Sequence, residues 1–202
     1  AIAIRYEVSG ERLIHVVDGG FTETGVSLVE HIKSYYESPQ RIDHVVATHG
    51  DQDHARGLQS VLTSFKVGAL WMNRPWLYAQ ELIDRFARFR TVAGLEEALR
   101  DAYPNLAELE VMAMERAIPI HEAFQGARIG AFTILAPSRE LFLDLVVDSE
   151  RTPASAEAAQ RSLAELAFGT LRSAASRTIA FVKSTWGVEL FPPDDTSAEN
   201  NM

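Results

Sequence analysis

The sequence predicts an α/β domain in layers, and three observations carry that prediction. Over the first 72 residues, short β-rich runs alternate with runs that are apolar at helical spacing. A stretch rich in His and Asp, "ATHGDQDHARGL" from Ala47 to Leu58, sits where one such strand ends and a helix begins. α/β sheets place ligands at that end of their strands. The chain has 202 residues, 47% of them hydrophobic and 23% charged. That is a globular balance, long enough to bury one sizeable core.

Ala1 to Val8 alternates, with Ile2, Ile4, Tyr6 and Val8 on one face. The turn "SGE" follows, and Arg12 to Val17 resumes the extended pattern, giving a β-hairpin. "DGG" at Asp18 to Gly20 ends that strand, since paired glycines allow a tight backbone path. Leu28, Val29, Ile32, Tyr35 and Tyr36 place a helix over Gly25 to Glu37, stopped by "SPQ". Asp43 to Thr48 is a short strand, buried on both faces. After the cluster, Leu58, Val61, Leu62 and Phe65 mark a second helix, and Val67 to Met72 another strand.

The character then changes to mostly helical. Trp76 to Arg90, Gly94 to Tyr103 and Asn105 to Arg116 read as helices, and Arg128 to Leu135, "RIGAFTIL", as a single strand. Ser138 caps a short helix running to Val147, with Leu141, Phe142 and Leu145 inward. "DSERTPAS" is a loop. Ala156 to Trp186 is Ala-rich and periodic, one long helix or two joined near Gly169 and stopped at Gly187. A polar tail follows.

The bulk properties exclude several classes. A net charge of -9 disfavours broad electrostatic capture of nucleic acid by the whole chain, although a bound divalent ion would reverse the sign locally. With no cysteine, disulfides and thiolate metal sites are ruled out. That absence fits a reducing compartment, and the expected location is cytoplasmic. No apolar run reaches a membrane span, and "AIAIRYEV" is a strand pattern with no signal-peptide character.

The cluster carries the chemistry. Residues two apart on a loop can point the same way, so His49, Asp51 and Asp53 can converge while His54 aims at a second point. Imidazole and carboxylate together suit zinc, iron and manganese. Four such groups exceed the needs of one closed site and fit two ions side by side, which can activate a water and clamp a phosphoryl or carbonyl oxygen. The plain alternative is a polar turn between strand and helix, with Asp53 capping a helix that begins at Ala55.

"THGDQDHARGL" resembles the His-x-His-x-Asp-His signature of the metallo-β-lactamase superfamily. It is most similar to the branch with Asp at the second ligand position, as in the hydrolase domain of the ComEC-type competence proteins. "VVDGG" at Val16 to Gly20 matches the family's upstream Asp-Gly motif. The resemblance is strong to about Met72 and thin afterwards, apart from "FTILAPS" at Phe132 to Ser138. It implies an αββα sandwich, of which this chain would be the N-terminal half with a largely helical insertion. It implies that His49 and Asp51 bind one metal and Asp53 and His54 a second, that the catalytic Asp53 orients the attacking water, and that Asp18 supports the loop from behind. The ions would be two divalent metals, zinc first, with manganese or iron as alternatives because the Asp at position 51 makes the first site harder.

The chain also departs from that pattern. The family's second half supplies a bridging Asp and a last His, yet no histidine follows His121. "AENNM" at Ala198 to Met202 looks like the start of that second half, cut off. The expectation is therefore one incomplete domain: a metal-motif core over 1–72, a mostly helical elaboration over 73–187, and a tail over 188–202. The exposed sheet would be covered by a missing C-terminal half, a partner or an oligomer.

The expected function is a metal-dependent hydrolase of a phosphodiester or other phosphate ester, with a small-molecule, nucleotide or nucleic-acid substrate. The alternatives are a lactone, ester or amide hydrolase of the same fold, and a metal- or partner-binding domain without turnover. Other polar residues have plainer readings. His15 and His44 are structural strand residues, His31 lies on a helix surface, and His121 is a loop residue near the mouth. Trp71, Trp76 and Tyr78 read as core rather than substrate wall. Arg74 would meet either solvent or a substrate anion.

Overall fold

The computed structural model describes residues 1–155. The hairpin forms as its alternation requires. Strands β1 (Ile2–Val8) and β2 (Glu11–Val17) pair antiparallel, with Ile4 opposite His15, and Ser9 and Gly10 make the turn at φ 54° and 82°. Helix α1 (Thr22–Tyr35) buries Gly25, Leu28, Val29 and Ile32 and starts three residues earlier than its apolar spacing suggests. β3 (Arg41–Val46) follows. The metal-capable loop leads into a four-residue helix, α2 (Gln52–Ala55), then α3 (Leu58–Ser64) and β4 (Lys66–Trp71).

A fifth strand, β5 (Ile120–His121), completes a mixed sheet of order β1-β2-β3-β4-β5, parallel everywhere except the opening hairpin. His121 therefore lies on a sheet edge, where the sequence suggested a loop. Two residues held to β4 through Leu70 N–H to Pro119 O and Met72 N–H to His121 O are too few to show any alternation.

The helical region differs in detail. Trp76 to Arg90 is not one helix. A 3₁₀ turn (Pro75–Tyr78), the single turn α4 (Ala79–Leu82) and a second 3₁₀ turn (Ile83–Arg85) follow one another, and Phe86 is extended. Helices α5 (Val92–Ala102) and α6 (Pro104–Glu115) form close to their expected bounds, α5 capped by the Thr91 hydroxyl. "RIGAFTIL" folds back on itself as β6 (Arg128–Ile129) and β7 (Phe132–Thr133), because Gly130 turns the chain at φ 59°. A Cβ at Gly130 would also collide with the Tyr6 hydroxyl.

Helix α7 (Arg139–Asp148) is capped by Ser138, as expected, but its buried residues are Leu143, Val146 and Val147. Leu141 and Leu145 face outward and Phe142 is only partly buried. Apolar residues at 141–143 and 145–147 fit two helical phases, and tertiary packing chose the other one. The helical pattern at 156–186, its stop at Gly187 and the segment 198–202 lie outside the described residues.

One apolar core joins these parts. On one side of the sheet, Ile14, Val16, Val45 and Leu70 join a cluster with α1 and α3, and the same cluster continues through Trp76, Leu95, Leu99, Leu106 and Leu109 into α7. His15 and His44 are register partners in β2 and β3 and their rings lie 4.7 Å apart; Trp71 and His121 are partners in β4 and β5 at the same separation. Phe132 of the small hairpin packs edge-on against Tyr6 and His15. Among the described residues, no helix is long and apolar enough to cross a membrane.

Candidate metal centre

The loop that follows β3 is fixed by its meeting with the "DGG" turn. Asp18 is forced to φ 53° and Gly20 to φ 70°. The Gly19 N–H donates to His54 O (2.6 Å) and the Gly57 N–H to Gly20 O (2.8 Å). A Cβ on Gly19, Gly25 or Gly57 would run into backbone across this contact. The glycines therefore let two backbones touch, and that contact seats the end of β2 beneath the metal-capable loop.

Asp18 is the hub of that seat. Its side chain is largely buried, and its carboxylate accepts from the Thr48 N–H (2.9 Å), the Thr48 hydroxyl (2.7 Å) and His54 Nδ1 (2.8 Å). A carboxylate only accepts, so the His54 proton sits on Nδ1 and Nε2 is left free. Thr48 Oγ1 also lies 2.9 Å from His49 Nδ1. Because that hydroxyl spends its proton on Asp18, His49 Nδ1 donates to it, and His49 Nε2 is free as well. One buried carboxylate thus orients both imidazoles, one directly and one through Thr48.

The two rings stand 3.8 Å apart by centroid. Asp18, His49 and His54 present ligand atoms that all lie within 4.8 Å of one another. Asp51 and Asp53 flank this group: Asp51 Oδ2 is 3.7 Å from His49 Nε2, and Asp53 Oδ2 is 3.6 Å from His54 Nε2. Asp53 lies inside α2, so it does not cap a helix beginning at Ala55. Asp51 occupies the N-cap position, and its side chain makes no capping bond.

Two partners escape the sequence. Thr48 precedes His49 in the motif itself, but nothing in the letters says its hydroxyl bridges two ligands. Arg151, far downstream, places its guanidinium 2.6 Å from Asp51 Oδ1. Arg74, by contrast, points away from the centre and into an ion pair with buried Glu110 at 2.9 Å, so neither reading drawn from the sequence holds for it. Trp76 and Tyr78 are core, as expected, while Trp71 is only partly buried, donating from Nε1 to His44 Nδ1 (3.2 Å).

The motif loop separates two recesses that share Gly50. One, about 480 Å³, is lined by Asp51, Asp53, Asp101, Asn105 and Arg151. The other, about 430 Å³, includes Thr48 and His49 in its wall and is otherwise mostly apolar.

The sequence matches the family model described as "Metallo-beta-lactamase superfamily" over residues 4–140, more than half of the chain. The match runs well past the metal-motif core, through the helical region where the resemblance by motifs is thin. No curated protein matches the chain.

Proposed function

The chain belongs to the metallo-beta-lactamase superfamily, made up mostly of metal-dependent hydrolases, and from that premise we propose that it is a hydrolase working through a two-metal centre at His49, Asp51, Asp53 and His54. The observation that carries the proposal is the pairing of a free imidazole nitrogen with a carboxylate oxygen, twice. Two donors of one tetrahedral ion, each about 2.1 Å from it, stand roughly 3.4 Å apart. The His49–Asp51 and His54–Asp53 pairs, at 3.7 and 3.6 Å, match that separation closely. The donor set holds nitrogen and oxygen only, which suits zinc, manganese or iron.

When bound, such a pair of ions supplies Lewis acidity and a water that deprotonates near neutral pH. The chain's own groups do the rest. Asp18 holds His54 and, through Thr48, His49 in the tautomer that offers Nε2 outward. Asp53 is half exposed beside His54, where it would orient the attacking water. Arg151 brings a positive charge to the mouth, where a substrate anion would arrive.

A phosphodiester or other phosphate ester is the scissile bond we favour, on the His-x-Asp-x-Asp-His order and the guanidinium at the mouth. The test is elemental analysis of the purified protein together with turnover of bis-p-nitrophenyl phosphate. Near two metals per chain, and activity lost in the Asp53→Ala, His54→Ala double variant, is the expected result. A metal-free protein with no turnover would overturn it. Turnover of p-nitrophenyl butyrate alone would move the scissile bond to a carboxylic ester.

A further inference from the structure

We propose that the substrate is amphiphilic, with a polar or anionic head at the Asp51, Asp53 and Arg151 recess and an apolar aliphatic or aryl arm in the neighbouring recess beside His49. The head-group half rests on the hydrolase reading; the apolar half rests on the cavity alone.

The apolar recess has the size of a small-molecule site, about 430 Å³. Among the described residues, no Asp, Glu, Lys or Arg lines it. Its lining includes Leu106 of α6, Pro137, and Leu141, Phe142 and Leu145 of α7, alongside Thr48, His49, Asn73 and Tyr103. Leu141 and Leu145 are 49% and 56% exposed although their helix buries other leucine and valine side chains. Large aliphatic groups left facing a concave space beside a candidate centre are what an apolar ligand would cover.

The adjoining recess has the opposite character, with Asp51, Asp53, Asp101 and Arg151 in its lining. Gly50 borders both, so the two recesses adjoin at the motif loop. A bond held beside His49, Asp51 and Asp53 therefore lies where ionic lining gives way to apolar lining. A molecule with one polar end and one apolar end covers both.

Calorimetric titration of the metal-loaded full chain with methyl-, butyl- and hexylphosphonate tests the pairing, and NMR of the chelator-treated protein with indole tests the apolar recess alone. Affinity should rise by up to about fourfold per methylene as the tail is buried. In Leu141→Asp and Leu145→Asp the ratio of hexyl to methyl affinity should fall toward one. Indole should shift the methyl resonances of Leu141 and Leu145 without any metal. A flat series in the native protein, a slope equally steep in both variants, or indole leaving those methyls unmoved would each overturn the proposal. If no phosphonate binds while indole still does, the phosphate-ester head-group reading fails and the apolar site stands.

Discussion

Arg151 reaches back from the loop after α7 to place its guanidinium 2.6 Å from Asp51 Oδ1, so a cation from the chain itself already sits on a candidate metal ligand. Both side chains remain nearly half exposed, which limits such a pair to about 1 kcal/mol or less. Arg151→Ala should therefore tighten zinc or manganese binding by roughly two- to fivefold, read by competition with a chelating dye. The difference should shrink at high salt, where exposed pairs are screened. Equal or weaker affinity in the variant would show that Arg151 does not contend for Asp51.

Thr48 and Asp18 orient the imidazoles without being assigned as ligands. Thr48→Val removes the hydroxyl between His49 and Asp18 and should weaken metal binding by roughly tenfold; Asp18→Asn, which disturbs both histidines, should weaken it toward a hundredfold. Calorimetry gives both constants, and circular dichroism checks that the fold survives. Unchanged affinity in Thr48→Val would remove the relay from the account.

Glu110 holds the helical region together. Its buried carboxylate accepts from Arg74 (2.9 Å), Arg100 and the Trp76 indole (3.3 Å), and the Arg100 guanidinium lies over the Trp76 ring. Burial opposes its ionisation, but the bonds from Arg100, Arg74 and Trp76 outweigh that and hold the carboxyl below its usual range. Glu110→Ala strands the largely buried Arg74 charge and should cost about 3–5 kcal/mol in urea unfolding. Glu110→Gln, which keeps hydrogen-bonding atoms in place, should cost less.

His15 makes stability depend on acid. Burial, and after it the neighbouring His44, push its pKa down to about 4, while Asp43 pulls weakly the other way. Its folded pKa thus lies below the unfolded value near 6.5, so between those values the unfolded chain binds more protons. Stability is whole above about pH 6.5 and falls as the pH drops toward 4, by about 2–3 kcal/mol from this group. His44 is shifted in the same direction, chiefly by burial. Denaturant midpoints followed from pH 7.5 to 4 should show this slope, and His15→Gln should flatten it. A slope identical in the variant would assign the acid sensitivity to other groups.

The helices and parallel strands of the first 72 residues were legible because each local pattern agrees with its final environment: Leu28, Val29 and Ile32 repeat at helical spacing and are buried on one helix face. The candidate ligands were legible because His49 to His54 is one contiguous string. Their arrangement was not. The resemblance pointed to Asp18 as support for the loop, but that it holds His54 directly and His49 through Thr48 follows from Gly19, Gly25 and Gly57 letting two backbones touch, which no single segment encodes.

The same limit explains the differences further along. A two-residue strand such as Ile120–His121 has no period to detect, and "RIGAFTIL" becomes a hairpin because Gly130 turns the chain at φ 59°, against Tyr6 of another strand. Sequence alone determined the α/β class, the hairpin, α1, α3 and the identity of the metal-capable residues, since these rest on side-chain spacing and chemistry within a few turns of chain. Only the tertiary structure decided which face α7 buries, that Arg151 meets Asp51, and that an apolar recess adjoins an ionic one, because each depends on the packing of segments that no local periodicity brings together.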